Sequence, residues 1–323
     1  MLKNSTISSI NSNISGTILD TLAQLPTKAE EKKGKYDKVS LIKRARSKFY
    51  TQQIASQLAQ IEDTKLKNYY DNAWHCCGVL QQEGKTLKAK YCNTRICHIC
   101  NRIRTAKMMN GYLGQFEDLA GLQFTTLTAP TISAKQLKGE MERRRKAFTD
   151  INRIFRERRK HDMNGIIKQE TTYNSATDLY HPHLHIINDN FLGEEIIFEW
   201  LKRFPEANRK GQHISEVTPN AFNELFKYTT KIFEGKPNGK KEIDIYLKPL
   251  DNIFTAQYGK RTIQTFGKIK KVSEEVERLQ ANTYDIQEYD FVTWLYEGSD
   301  WYSQYGALTG YESSQKIKLN FYE

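Results

Sequence analysis

Three histidines fall within five residues of this chain, in the run HPHLH at positions 181–185. In an extended strand alternate side chains project from the same face, so His183 and His185 would lie roughly 6.6 Å apart along it. Two imidazoles at that spacing can share one metal ion. Leu184 and Ile186 would point to the opposite face and anchor the strand in a core.

A second group of reactive residues lies further along, on a helix that the sequence predicts from Thr218-Pro219-Asn220 to about Phe233. Glu224 and Tyr228 are four residues apart and would share a face of that helix, with Lys231 beside them. A tyrosine near a cation and a metal suits phosphoryl transfer. The metal polarises the phosphate, the lysine stabilises developing charge, and attack by the phenol leaves a covalent phosphotyrosine. Glu224 could then activate the water or hydroxyl that resolves it.

The third ligand of the metal has two candidates. His181 has the right strand parity, but Pro182 cannot donate to a sheet ladder and is predicted to be the first residue of its strand, which would turn His181 away. Glu170 lies on the strand predicted at 165–173, the antiparallel partner of the strand at 182–187. Its carboxylate supplies the oxygen that a hard cation prefers, so we place Glu170 first and keep His181 as the alternative.

All five cysteines lie between Cys76 and Cys100. Clustered cysteines in a chain expected to be cytoplasmic indicate metal binding rather than disulfides, and four thiolates around one ion form a closed structural zinc site. The predicted zinc ligands are Cys77, Cys92, Cys97 and Cys100. Cys76 is the natural substitute for Cys77 in this set, and His75 or His98 could replace one of the thiolates.

The elements that must position these groups follow from apolar spacing. Positions 39–61 and 134–161 predict long basic helices, 194–203 a short amphipathic helix, and 122–130 and 212–217 strands. In the helix at 134–161, an apolar stripe is predicted to be buried and the arginines are placed on the remaining faces. The stripe consists of Leu137, Met141, Phe148, Ile151, Ile154 and Phe155.

Charge is unevenly distributed along the 323 residues, whose net charge is +11. Residues 272–323 hold ten acidic and three basic side chains, a net charge of −7, so the preceding residues carry +18. Such a basic body suits a polyanion such as DNA. No apolar run is long enough for a transmembrane helix, and the N-terminus lacks the apolar core of a signal peptide, so we expect a cytoplasmic protein without a membrane partner.

Several motifs, in this order, resemble one family. The cysteine segment ends in CNTRICHIC, and FTTLTAP, HPHLHII, ELFKYTTK and GKRTIQTFGKIKK follow. Together they are similar to the rolling-circle plasmid replication initiators of bacteria, members of the HUH endonuclease superfamily, named for His, bulky hydrophobic, His. The resemblance covers about residues 77–271. One departure is that the cysteine knuckle lacks the proline expected after its first cysteine, which leaves the zinc ligands intact.

The resemblance implies an α+β fold, with a central antiparallel sheet flanked by helices and the histidine strand in its middle. It implies a nick in one strand of the plasmid origin, with Tyr228 bonded to the 5′ phosphate and the 3′ hydroxyl priming synthesis. Glu224 would promote hydrolysis at termination. The implied cofactor is Mn²⁺ or Mg²⁺, beside structural Zn²⁺. Expected partners are single-stranded or hairpin origin DNA, a host helicase and a polymerase, and the oligomeric state stays open.

Four segments are expected: a basic disordered arm (1–36), a helical zinc-binding module (37–110), the catalytic domain (111–271) and an acidic C-terminal segment (272–323). Two other functions remain possible from the sequence. One is a non-catalytic zinc-ribbon DNA-binding regulator, in which the histidines and the tyrosine are structural. The other is a transposase or conjugative relaxase of the same superfamily.

Overall fold

The computed structural model describes residues 35–36, 38–158, 162–227, 243–276, 280–283, 286–313 and 317–320. Within these residues, no helix is both long enough and apolar enough to cross a bilayer. The α-helices are α1 (Lys38–Leu58), α2 (Lys67–His75), α3 (His98–Tyr112), α4 (Ala134–Arg158), α5 (Gly193–Arg203), α6 (Pro219–Phe226) and α7 (Leu247–Gln257).

The strands fall into two sheets and one separate pair. They are β1 (Lys35–Tyr36), β2 (Val79–Gly84), β3 (Thr86–Ala89), β4 (Gln123–Thr128), β5 (Gly165–Asn174), β6 (Leu179–Asn188), β7 (His213–Glu216), β8 (Ile243–Tyr246), β9 (Ile263–Phe266), β10 (Gln280–Thr283), β11 (Tyr289–Glu297), β12 (Asp300–Ser303), β13 (Gly306–Ala307) and β14 (Ile317–Asn320).

The chain divides into two compact units. The first, here called the histidine unit, includes Met108–Lys227 and Ala256–Ser273. The second, the cysteine unit, includes the described residues within 35–107, 243–255 and 274–320. Both are discontinuous in sequence, and the four-segment division expected from composition stays a prediction.

The histidine unit is built on a five-stranded sheet in the order β7-β4-β6-β5-β9. Every pairing in it is antiparallel, and β6, which carries the histidines, is the central strand. The predicted α+β class, with antiparallel sheets flanked by helices, is therefore confirmed.

The core of the histidine unit lies on the sheet face opposite to the histidines. Leu184 and Ile186 of β6 are fully buried there, as the alternation of the strand predicts. Helices α4 and α5 cover this face with Phe148, Ile151 and Trp200, all in the same apolar cluster. The sheet thus has one apolar face for stability and one face free for polar side chains.

The cysteine unit contains a sheet in the order β1-β10-β3-β2-β11-β12-β13. Its core joins Leu41 of α1, Tyr70 of α2 and Leu80 of β2 to Trp294 and Trp301. The last two residues come from β11 and β12, within the acidic segment at 272–323. That segment therefore supplies strands to this sheet, a role that its composition did not indicate.

Two predicted boundaries differ from the structure. Strand β6 begins at Leu179, so Pro182 lies within it and is not its first residue. The proline is tolerated because pairing with β4 ends at His183, which leaves no ladder bond for Pro182 to donate on that side. Helix α6 ends at Phe226 rather than near Phe233, and the backbone of Lys227 is extended.

Candidate functional site

Register brings a carboxylate and two imidazoles together on the polar face of the central strand. Glu170 of β5 lies directly opposite His183 of β6, and His185 follows two residues later on the same face. The Glu170 Oε2 atom is 3.2 Å from His185 Nε2 and 3.6 Å from His183 Nε2. These three residues are one of two groups, among those the structure describes, whose ligand atoms lie close enough to hold one metal ion.

Hydrogen bonds at the far side of each ring orient the two histidines. His183 Nδ1 lies 3.0 Å from the carbonyl oxygen of His181, which can only accept, so Nδ1 carries the proton. His185 Nδ1 contacts Thr126 Oγ1 of β4 at 3.1 Å. Nε2 of His183 therefore presents its lone pair to the cluster. Partners of this kind on the outer nitrogen are typical of histidine metal ligands.

Two atoms of the cluster are buried without a hydrogen-bond partner, namely Glu170 Oε2 and His185 Nε2. Such atoms are costly unless something else satisfies them, and a cation between them would do so.

The charge states of Glu170 and His185 also suit a bound cation. Burial alone would raise the pKa of Glu170, but the Lys168 ammonium and the two facing histidines hold that pKa well below its usual range. Burial lowers the pKa of His185, which keeps this imidazole neutral. A set of two imidazoles and one carboxylate fits a divalent metal ion.

His181 lies on the same strand but outside this group. Its ring centroid is 5.5 Å from that of His183, and its carbonyl oxygen is the group that orients His183. Burial, together with the nearby His183 ring and Arg144 guanidinium, lowers the pKa of His181 to about 4. Of the two candidates for the third ligand, the geometry brings Glu170, not His181, to the pair of histidines.

A buried lysine completes the site. Lys168 of β5 lies opposite His185 and is only 4% exposed. Its Nζ is 3.7 Å from Glu170 Oε2 and donates hydrogen bonds to the carbonyl oxygens of Glu224 (3.3 Å) and Lys227 (2.7 Å). The sequence argument did not assign Lys168 a role, although its strand parity with Glu170 places both on one face.

The predicted catalytic tyrosine and its lysine, Tyr228 and Lys231, lie outside the described residues. Glu224 is in the last turn of α6 and is partly buried. Because Lys227 is extended, α6 does not continue as the single helix that was to place Glu224 and Tyr228 on one face. That part of the sequence prediction is wrong, while the roles of these residues stay predictions.

The second metal-competent group is a set of four cysteines in the cysteine unit. The sulfur of Cys100 is 3.6 Å from that of Cys76 and 3.7 Å from that of Cys92. Zinc–sulfur bonds of about 2.3 Å in a tetrahedron require sulfurs about 3.8 Å apart, so the cluster fits zinc closely. Its members are Cys76, Cys92, Cys97 and Cys100.

Cys76 therefore takes the place predicted for Cys77. Cys76 follows α2 directly and its sulfur accepts the Cys92 N–H. Cys77 has a left-handed backbone (φ 53°), and its thiol donates instead to the Lys90 carbonyl oxygen at 3.6 Å. Adjacent residues in this turn direct their side chains to different places, which spacing alone cannot reveal.

Neither histidine considered as a zinc ligand belongs to the cluster. His98 is partly buried, and desolvation and the charge of Arg102 lower its pKa to about 4. His75 is exposed, and its ring packs edge-on against Trp74 at 4.7 Å. The four-thiolate set is the one that the geometry supports.

Backbone donors surround the sulfurs. Thr94 N–H points to Cys92 Sγ, and Cys100 N–H, in the first turn of α3, points to Cys97 Sγ, both at 3.5 Å. Hydrogen bonds from Cys100 and Cys76 lower the pKa of Cys92. Thiolate character is thus favoured at Cys92, whereas the hydrogen bond with Cys100 raises the pKa of Cys76 and burial raises the pKa of Cys97.

Arg144 of α4 was placed on an exposed face by sequence, but the structure buries it at 1% exposure. Its guanidinium donates to the carbonyl oxygens of Pro182 and Pro130, the latter at 2.8 Å. Helical spacing could have predicted this burial. Position 144 is three residues after Met141 and four before Phe148, so it falls on the buried stripe of α4.

Comparison with known proteins gives concordant results. Residues 83–188 match the family model described as "Replication protein". A protein named "Protein rep" from Staphylococcus aureus is 27% identical over 151 residues, which cover 42% of this chain and 63% of the relative. A second "Protein rep", from Streptococcus pneumoniae serotype 2 (strain D39 / NCTC 7466), is 23% identical over 226 residues, 62% of this chain and 67% of the relative. No solved structure matches significantly.

Proposed function

We propose that the chain initiates plasmid replication by nicking origin DNA, and the similarity of residues 83–188 to the replication-protein family supports the replication role. The observation that carries the chemistry is the Glu170–His183–His185 group, in which Glu170 Oε2 and His185 Nε2 are buried without hydrogen-bond partners. A divalent metal such as Mn²⁺ or Mg²⁺, held by these residues, would polarise the scissile phosphate and neutralise charge developing on it. The matched relatives are aligned over about two thirds of their length, and the activity of the whole protein is part of the proposal.

The proposed nucleophile is Tyr228. Its phenolic oxygen gives up its proton and forms a bond to phosphorus, the bond from phosphorus to the 3′ oxygen breaks, and the leaving 3′ oxygen takes up one proton in return. The products are a 5′-phosphotyrosine linkage and a free 3′ hydroxyl that primes synthesis by a host polymerase, after a host helicase opens the duplex. Lys231 is proposed to stabilise charge on the phosphate.

Glu224 is proposed to act when a replication round ends. As a general base it would take a proton from water or from a strand-end hydroxyl, which then attacks the phosphotyrosine and releases or rejoins the strand. Helix α6 holds Glu224 in the histidine unit through its aromatic side chains: Phe226 stacks on Tyr112 at 5.4 Å and Phe222 packs on Phe116 at 5.2 Å.

Binding of origin DNA is supported by positive charge on α4. Several basic side chains on its outer face are exposed, and each one that neutralises a phosphate releases counterions. These residues are Lys138, Lys146, Arg153, Arg156 and Arg158. The four-cysteine cluster is proposed to bind zinc structurally, because four thiolates leave no open position for a substrate.

The test uses single-stranded oligonucleotides that tile the replicon encoding the chain, labelled at the 3′ end, with Mn²⁺ or Mg²⁺. We expect the wild type to form a covalent adduct that survives denaturing electrophoresis. Tyr228→Phe should abolish the adduct and leave DNA affinity unchanged, while Tyr258→Phe, at a tyrosine 60% exposed, should behave like the wild type.

Each alternative has its own outcome. Tight DNA binding by the wild type with no cleavage of any oligonucleotide would support a non-catalytic regulator instead. Cleavage confined to transposon-end or transfer-origin sequences would indicate a transposase or relaxase. An adduct that persists in Tyr228→Phe would show that another residue is the nucleophile.

A further inference from the structure

The motif FTTLTAP, one of those that carry the family resemblance, is not used by the proposed reaction. It supplies most of β4, which pairs with the histidine strand β6 on the side away from β5. Phe124, Thr126 and Thr128 alternate along β4 and share the sheet face of the metal-competent group. Thr126 lies directly opposite His185, and the next residue of this face, Thr128, lies directly opposite His183.

Two side chains of β4 hold the ring of His185. Thr126 Oγ1 is 3.1 Å from His185 Nδ1. The ring of Phe124 stacks on the same imidazole, with the ring centroids 5.3 Å apart and the planes at 28°. The hydroxyl group therefore contacts the ring at one edge, and the aromatic side chain limits its rotation from one face.

The proton of the neutral His185 ring can occupy either nitrogen, and only one choice leaves Nε2 free for a metal. Nε2 is 3.2 Å from Glu170 Oε2, yet among the described residues neither atom has a hydrogen-bond partner, so a proton on Nε2 would not be satisfied. A proton on Nδ1 can be donated to Thr126 Oγ1, because a hydroxyl oxygen accepts hydrogen bonds. The Nε2 lone pair then faces the cluster, as a metal ligand requires.

His183 reaches the same state without a partner side chain. Its Nδ1 donates to the carbonyl oxygen of His181 in its own strand, at 3.0 Å. Thr128, which lies opposite it, donates its hydroxyl to the carbonyl oxygen of Gly211 instead, at 3.0 Å. One histidine is therefore oriented by the backbone and the other by a hydroxyl group that a substitution can remove.

We propose that Thr126 is a positioning residue for the metal site: its hydroxyl accepts the Nδ1 proton of His185 and thereby keeps Nε2 available to the metal. This inference rests on the proposed function for the metal ion itself. The alternative is that Thr126 only fills space on the sheet, in which case a residue of the same shape without the hydroxyl serves equally well.

Three substitutions on β4 separate these possibilities. Thr126→Val keeps the branched shape and the strand preference and removes the hydroxyl. Thr126→Ser keeps the hydroxyl and removes the methyl group. Thr128→Val is the matched control, because it makes the same change on the same face, opposite a histidine whose Nδ1 already has a backbone acceptor.

The first measurement is the tautomer of His185 in the full chain without added Mn²⁺ or Mg²⁺, read from the ¹⁵N shifts of the neutral ring by nuclear magnetic resonance. His185→Gln identifies the signals among those of the seven histidines. We expect the Nδ1–H form to predominate in the wild type and in Thr126→Ser, and to be the minor form in Thr126→Val. An unchanged tautomer in Thr126→Val would overturn the inference, whether or not the chain binds metal or cleaves DNA.

The second measurement is the affinity for Mn²⁺, obtained by isothermal titration. Loss of a partner on the outer nitrogen of a ligand histidine weakens metal binding, so we expect Thr126→Val to bind Mn²⁺ at least about tenfold more weakly. Thr126→Ser and Thr128→Val should bind as tightly as the wild type. Wild-type affinity in Thr126→Val would refute positioning, and so would an equal loss in Thr126→Ser or Thr128→Val, because both keep the Thr126 position hydroxylated. If Thr126→Val does not fold, Thr126→Ala decides by the same measurements.

The two proposals fail differently. A wild-type chain that binds no Mn²⁺ would remove the metal from the proposed function, and the tautomer of His185 would still decide whether Thr126 orients the ring. A wild-type chain that binds Mn²⁺ and forms the covalent adduct, with Thr126→Val indistinguishable from it, would remove only the role of Thr126.

Discussion

At the scale of single residues, the two metal-competent groups differ in how much the sequence revealed. Strand parity placed His183 and His185 on one face, ligand chemistry favoured Glu170 on the partner strand, and the structure brings the three within ion-pair distance. Parity is a local property with a period of two, so it survives without knowledge of the fold. The choice between Cys76 and Cys77 depends on the backbone of one turn, where Cys77 has φ 53°, and spacing carries no information about that angle.

The zinc ligand can be tested by comparing two neighbouring substitutions. Cys76→Ser should lose the bound zinc because only three thiolates remain, whereas Cys77→Ser should keep one zinc per chain. Metal content after purification, measured by atomic emission, checks this. Equal zinc in the two variants would mean that Cys77 can replace Cys76, contrary to the geometry.

The same assay separates the two metal groups. A double variant, His183→Ala with His185→Ala, should retain its zinc, because the cysteine cluster contains neither histidine. It should lose Mn²⁺-dependent cleavage. Loss of all metal from this variant would contradict a separate structural zinc site.

At the scale of elements, apolar periodicity predicted the long helices and the histidine strand well, because burial imposes it directly. It failed where an element ends through a contact with a distant part of the chain. Lys168 supplies donors to the end of α6 from a strand 59 residues before Lys227. Arg144 similarly binds the carbonyl of Pro182, 38 residues away. Neither contact leaves a trace in local spacing.

Arg144 provides a test of how the histidine strand is held. Arg144→Met should destabilise the chain by about 2–3 kcal/mol, because it leaves the buried carbonyls of Pro182 and Pro130 without their charged donor. Guanidinium denaturation followed by near-ultraviolet circular dichroism measures the change. Arg143→Met is the control: Arg143 is exposed and its loss should cost less than about 1 kcal/mol. A similar cost for both variants would show that Arg144 contributes no more than a surface charge.

At the scale of the whole molecule, composition located the acidic segment at 272–323 but not its partner. Strand β11 pairs with β2, about 210 residues earlier, and the Nε1 of Trp301 donates to the carbonyl of Cys77. Pairings at such separations are specified by shape and burial, which no window of sequence contains. Four ligands between Cys76 and Cys100 and strands from the acidic segment therefore stabilise one unit together.

This arrangement predicts a local response to removal of zinc. A chelator that strips the four-cysteine cluster should increase amide exchange around Cys76–Cys100 and in β11 and β12, because Trp301 packs in the core next to Cys77. Exchange in β6 should stay slow, since its apolar cluster in the histidine unit contains no cysteine. The two regions can be followed in one mass-spectrometric experiment with and without chelator. Equal loss of protection in β6 would show that the histidine unit depends on zinc for its stability, and no change around Cys76–Cys100 would show that zinc is not structural.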